Sequence, residues 1–474
     1  MSVTRIRGLA LLLAGSATLS ACASVPDLGT RPEIRPAEQV AAAVSLRGPA
    51  AEWPAMGWWK GYGDPQLDRL MEEAIAGSPD LKAAAARLRQ AQGYAQQAGA
   101  ALAPSIDATA SAGYVQQSEN NGVPATFVPN GWSESGKLGL GFSFDLDLWG
   151  KNRAALAAAR SDAEAARFEA EEARLVLTTS IAATYADLAK LHAQRDVLAA
   201  IVTNRGETLR LVSDRVDAGL DNQAALKQAR SRVPAARADL AATDEAIALT
   251  RNAIAALTGA GPDRALSISR PTVALGEVRG VPADASIDLI GRRPDIAAAR
   301  AGVEASASRI KVARAAFYPD ISLSGLIGLQ ALGFGNVFKG GSAYGNVGPA
   351  VTLPIFHGGA ISGQYRGARG QYDEAVARYD GAVVQALREV ADTLVSRNML
   401  AVRLSETRQS LGDAEAAYAL ARTRYERGLS TYLDVLSTEE NVLQARRSVA
   451  DLEARAFTLD VAMIRSLGGG FTAT

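Results

Sequence analysis

Between Leu138 and Leu148 the chain alternates without a break. Leu138, Leu140, Phe142, Phe144, Leu146 and Leu148 are apolar, and Gly139, Gly141, Ser143, Asp145 and Asp147 stand between them. A period of two predicts a strand with six apolar side chains on one face and small or acidic groups on the other. On such a strand Asp145 and Asp147 would face a water-filled lumen rather than bind a metal. At Trp149-Gly150-Lys151 the pattern turns helical, so the strand is expected to run straight into a helix. From Asn152 to Asp217 there is no proline and one glycine, Gly206. At ~1.5 Å per residue this stretch makes a rod of roughly 100 Å, several times the usual helix.

The elements around it follow from local signals. Asp64 can cap a helix that has Pro65 at its first position. Ser78-Pro79-Asp80 opens a second helix, which Pro104 ends by about Ala103. Ser105 to Gln117 alternates, and a polar loop from Ser118 to Gly136 leads to the strand described above, so the two strands form a hairpin. Gly219 suits the left-handed position at the end of the rod. A return helix runs from about Asn222 to Leu257, with Pro234 predicting a kink.

The chain then repeats itself. Arg293-Pro294-Asp295-Ile296 matches Ser78-Pro79-Asp80-Leu81, and Tyr318-Pro319-Asp320-Ile321 matches Ala103-Pro104-Ser105-Ile106, both at an offset of 215. A strand from Asp320 to about Gln330 follows. The next has Val347, Pro349, Val351, Leu353 and Ile355 on one face. Phe356-His357-Gly358-Gly359 stands where Trp149-Gly150 stood, and a second rod runs from Ile361 to Arg427. Arg424 to Leu429 echoes Arg215 to Leu220 at an offset of 209. The last helix, Tyr432 to Leu467, carries two heptad series, Leu436-Leu443-Ala450-Phe457-Ile464 and Val435-Val442-Val449-Ala456-Met463. It therefore has neighbours on two sides. Four matches in register indicate a duplicated unit.

Composition removes several functions. The 474 residues carry 50 basic and 50 acidic side chains, which gives no reason to expect a nucleic-acid partner. His192 and His357 are the only histidines, and neither lies at metal-ligand spacing from another ligand. No nucleophile motif or phosphate loop is present, so no enzyme, metal or cofactor is expected. Arg5 and Arg7 precede the apolar run Leu9 to Leu19, and Leu19-Ser20-Ala21-Cys22 resembles a lipobox. Cys22 would be the acylated first residue of the mature chain, with Ala23 after it favouring outer-membrane sorting. The expected segments are a signal peptide at 1–21, a lipidated tether at 22–62, a first repeat at 63–258, a linker at 259–290, a second repeat at 291–467 and a tail at 468–474.

Four strands per chain cannot enclose a lumen, and open edges are not tolerated in hydrocarbon. Several chains must therefore share a barrel. Three would supply twelve strands, continued by antiparallel coiled-coil helices.

The residues that complete this picture are those of a family. Gly63-Asp64-Pro65-Gln66-Leu67, Asp147-Leu148-Trp149-Gly150, Gly291 to Ile296, Phe317-Tyr318-Pro319, Pro354-Ile355-Phe356, Tyr432 to Leu436 and Leu467 to Gly470 resemble the TolC/OprM-type outer-membrane efflux proteins, in the NodT-like lipoprotein branch. The resemblance covers nearly everything after Trp58. It implies a homotrimer in outer-membrane lipid, with a membrane β-barrel and an α-helical periplasmic barrel. It also implies docking to a periplasmic adaptor (a membrane fusion protein) and an inner-membrane pump of the resistance-nodulation-division class. The docking turns would be Arg215-Gly219-Leu220 and Arg424-Gly428-Leu429. The gate candidates are Leu433, Asp434, Ser437 and Glu440. Leu433 matches the family's apolar member, whereas Ser437 and Glu440 depart from its usual acid and arginine. A ring of Asp434 or Glu440 carboxylates would give cation preference or pH-sensitive closure; the plainer reading is a solvated charge at a turn. Two other functions stand against the duct. A lipid-anchored periplasmic scaffold would have no use for lipid-facing strands, and a periplasmic enzyme would need the acid, base or metal clusters that are missing.

Overall fold

Two helices of 67 residues each dominate the computed structural model. It describes residues 25–36, 39–40, 42, 44–120, 122, 124–273, 280–282 and 285–473. The signal peptide and Cys22 lie outside these. The elements run α1 (Pro65–Gly77), α2 (Pro79–Ala100), β1 (Ser105–Gln116), β2 (Trp132–Asp145), α3 (Lys151–Asp217) and α4 (Gln223–Leu257), then α5 (Ala285–Arg292), α6 (Pro294–Ala315), β3 (Asp320–Leu332), β4 (Ala343–Thr352), α7 (Ala360–Glu426) and α8 (Tyr432–Ser466). Elements of the two halves match in length: α2 and α6 have 22 residues, α3 and α7 have 67, and α4 and α8 have 35.

The chain divides into two compact units that do not follow these sequence halves. One comprises Arg87–Ala166 and Ala299–Tyr379 with the N-terminal segment up to Ile34. Its strands form a single antiparallel sheet in the order β1-β2-β3-β4. Ile106 pairs with Phe142, Leu140 with Ile327, and Leu323 with Pro349. The predicted hairpins are thus joined through β2 and β3, while β1 and β4 each have a partner on one side only. Leu138, Leu140, Ile327 and Val347 are exposed. Glycines admit the close strand pairing: a Cβ on Gly328 would lie 2.3 Å from the carbonyl oxygen of Leu138. In the same unit, the side chain of Arg369 donates to the Gly29 and Thr30 carbonyls, and Tyr372 Oη to the Pro32 carbonyl, fixing the tether along α7.

The other unit comprises Arg35–Ala86, Arg167–Ala298 and Asp380–Thr474. Its largest core gathers Trp58, Tyr62, Leu67, Met71, Ile181, Tyr185, Ile254 and Phe457. Asp64 caps α1, accepting from the amides of Gln66 and Leu67 at 2.9 and 3.4 Å. It also accepts from Tyr185 Oη and the Thr272 amide, and these donors hold its carboxyl below the ordinary range despite burial. The heptad residues Leu436, Leu443, Ala450, Phe457 and Ile464 of α8 are all buried. Helix α4 passes through Pro234 as one element, with the proline at an exposed position.

Three expectations about strand limits need correction. β2 begins at Trp132, inside what the sequence suggested was loop, and ends at Asp145. Leu146 and Leu148 therefore lie beyond it, and strand and helix are separated by a turn. β4 ends at Thr352, so Leu353 and Ile355 also fall outside their strand.

Candidate functional site

The turn that joins β2 to α3 is built around Asp147. Its φ of 44° is the one left-handed value of a non-glycine residue among those described. What stabilises that strain is the start of the helix. The Asp147 carboxylate accepts from the amides of Asn152 and Arg153 at 2.9 and 3.0 Å and from Arg153 Nε at 3.1 Å. A helix start has unpaired amides and a positive dipole end, both of which favour a carboxylate there. Asp145 accepts from the Asp147 amide and from Asn152 Nδ2. Asp145 is the last residue of β2, whereas Asp147 lies off the strand and is 9% exposed. Alternation alone concealed this, because an Asx-type turn can follow a strand without breaking the apolar/polar pattern. Trp149 stacks on Tyr318 with ring centroids 4.8 Å apart and donates to the Pro319 carbonyl.

The turns at the far ends of α3 and α7 share one geometry. The Leu220 amide donates to the Arg215 carbonyl at 2.8 Å, and Leu429 to Arg424 at 2.8 Å. Gly219 and Gly428 take φ values of 73° and 71°, a conformation that costs glycine little. The two turns are also fastened to each other. Arg215 lies over the ring of Tyr425 at 4.7 Å and donates to the Glu426 carbonyl, while Tyr425 Oη donates to Asp221 at 2.6 Å. Burial and the Asp221 carboxylate push the Tyr425 phenol up. Leu220, Leu429 and Leu433 remain exposed.

The gate candidates separate into different roles. Asp434 is exposed and forms a capping box with Thr431, whose amide and hydroxyl hold its carboxyl below the ordinary range. Ser437 donates back to the Asp434 carbonyl. Glu440 accepts from Arg205 at 3.0 Å and Arg232 at 2.8 Å, and Arg205 also lies 3.6 Å from Glu439. Burial pushes Glu439 up, opposed by the Arg205 charge. Arg205, Arg232 and Glu439 were missed in the sequence, although a signal was there. Leu198, Arg205 and Val212 follow at heptad spacing on a buried face, and a charge at a core heptad position needs a partner.

A second buried ion cluster surrounds Arg293, which donates to Asp295, Glu389 and the Ser466 carbonyl. Burial, with Asp295 nearby, raises Glu172 to about 7. Among the described residues no group of three His, Cys, Asp or Glu could hold a metal, and no helix is long and apolar enough to cross a membrane.

The fold recurs in known proteins. The chain matches the outer membrane efflux protein family over residues 70–260 and 287–469. It is 31% identical to the multidrug resistance outer membrane protein MdtP of Escherichia coli O6:H1, over 98% of this chain and 96% of that one. The crystal structure of the outer membrane protein VceC from Vibrio cholerae superimposes with a TM-score of 0.83 at 44% identity, covering 88% of this chain and all (100%) of the other. The Campylobacter jejuni CmeC outer membrane channel gives a TM-score of 0.84 at 25% identity, covering 96% of each chain. The family is one of channel proteins rather than enzymes. A sheet with an exposed apolar face, joined to paired long helices, is the same construction, and the chain belongs to the outer membrane efflux protein family as an efflux channel of the outer membrane that extends into the periplasm.

Proposed function

We propose that three copies of the chain close one twelve-stranded barrel, and that the resulting duct receives small molecules from a periplasmic adaptor and an inner-membrane pump of the resistance-nodulation-division class. The observation that carries this reading is the sheet with two free edges, β1 and β4, exposing Leu138, Leu140, Ile327 and Val347 on the way. Unpaired backbone groups cost several kcal/mol each in hydrocarbon, so the edges must find strands from other copies. Drugs are the cargo class that the name of the MdtP relative supports. The fastened turns Arg215–Leu220 and Arg424–Leu429, with their exposed leucines, supply the adaptor contact. Leu433 and Asp434 stand at the constriction, and Glu440 latches the first turns of α8 through Arg205 and Arg232. Cys22 carries the lipid, and the tether bound along α7 leads from it.

The test is the mass of the detergent-extracted protein, by size exclusion with light scattering corrected for bound detergent. Three chains per particle are expected. A monomer that persists under milder extraction would overturn the shared barrel and favour the lipid-anchored scaffold.

A further inference from the structure

Beside the stacked pair Trp149 and Tyr318 lies a cavity of about 550 Å³, within the unit that carries the sheet. It exists because the facing stripes of α3 and α6 are small where they meet: Ala154 and Ala157 on one, Ser308 and Ala315 on the other. At the same spacing of three and four residues these stripes place long cations at the rim, namely Arg153, Lys311 and Arg314. The lining contains no Asp or Glu. Carboxylates nearby already have partners: Asp147 holds Arg153, Asp162 holds Arg309, and Asp320 lies 4.0 Å from Lys151. Among the described residues the side chains of Lys311 and Arg314 make no ion pair or hydrogen bond. The α3 amides are also already taken by Asp147, so the positive charge of the cavity resides in its side chains.

Position identifies the occupant. The cavity begins where β2 and β3 leave the apolar sheet, next to an aromatic pair of the kind that sits at headgroup level. We propose that it takes the phosphate of an anionic phospholipid from the leaflet facing the periplasm. Lys311 and Arg314 pair with the phosphate, Arg153 borders it from its anchored position, and Trp149 and Tyr318 cover the glycerol side. The inference rests on β1–β4 being the membrane sheet.

Native mass spectrometry of the full-length particle, titrated separately with phosphatidylglycerol and phosphatidylethanolamine, tests it. The double variant Lys311→Gln/Arg314→Gln should bind phosphatidylglycerol roughly thirtyfold more weakly, since each charge near a lipid surface contributes on the order of a tenfold or smaller factor. Ala157→Phe, which fills the cavity and keeps its charge, should weaken binding as well. Phosphatidylethanolamine should show a much smaller difference, and inorganic phosphate at millimolar concentration should not displace the lipid. Equal phosphatidylglycerol affinity in wild type and either variant would overturn the site. Displacement by inorganic phosphate would overturn the lipid assignment in favour of a soluble anion. Particle mass, which tests the duct, is read from the same spectra but separately from the lipid count.

Discussion

The entrances to the two long helices occupy matching places in the chain and are built from different chemistry. At the first, Asp147 caps α3 with a carboxylate and Trp149 is stacked on Tyr318. At the second, Trp149 is matched by Phe356, which is 88% exposed, and Asp147 is matched by Pro354. There the chain turns through Gly358 and Gly359, with φ of 56° and 87°, and α7 starts on backbone contacts such as the Ala360 amide to the His357 carbonyl at 3.0 Å. Both entrances turn on a glycine with positive φ, Gly150 at 74° and Gly359 at 87°; the first adds the Asp147 carboxylate on the helix amides. The far turns reverse this: their backbones coincide, but the buried Arg205 of α3 is matched in α7 by Ala414. The duplication kept lengths and turns and let the polar anchors diverge: Asp147 and Arg205 anchor the first half, and Arg293 with Asp295 and Glu389 the second.

The sharpest way to break this asymmetry is Arg205→Ala. It leaves Glu439 buried without its cation and should lower stability by about 3–5 kcal/mol per chain, whereas Ala414→Ser should stay within about 0.5 kcal/mol. Thermal unfolding of the purified particle measures both, and equal effects would erase the difference between the halves. Next comes Glu172, matched in α7 by Gly381. Burial raises its pKa from 4.5 to about 7. The folded chain therefore keeps a proton that the unfolded chain has released, and stability declines as pH rises across that window, by at most about 1.4 kcal/mol per pH unit from this group. Unfolding temperatures between pH 4.5 and 7 should fall less steeply in Glu172→Gln. The smallest effect belongs to the entrances: Asp147→Asn should cost about 1–2 kcal/mol, and His357→Ala under about 0.5 kcal/mol.

What could be read from the sequence was what local physics decides. Proline and glycine mark helix limits through their own backbone, so α3, α7, the Asp64 cap and the turns at Gly219 and Gly428 were legible. Strand ends were less so, because Leu146 and Leu148 continue the alternation past the end of β2 at Asp145. Asp147 was misplaced for the same reason. The fastening of Arg215 and Asp221 to Tyr425 joins residues some two hundred positions apart, which periodicity cannot report. Arg205 was legible in principle, as a charge in an apolar heptad series, but its partners on α8 and α4 required the fold.

Equal helix lengths have a consequence for how such a chain can change. Because Arg215 and Asp221 at the end of α3 grip Tyr425 at the end of α7, the two helices share one ruler. Removing two turns, seven residues, from α3 alone would draw its end back by roughly 10 Å and pull the grip apart. The same deletion made in both helices would leave it whole. Length is therefore inherited as a pair: viable shortening or lengthening must come in matched steps in both halves, and a single unmatched insertion acts as a loss of function without touching any residue of the turns.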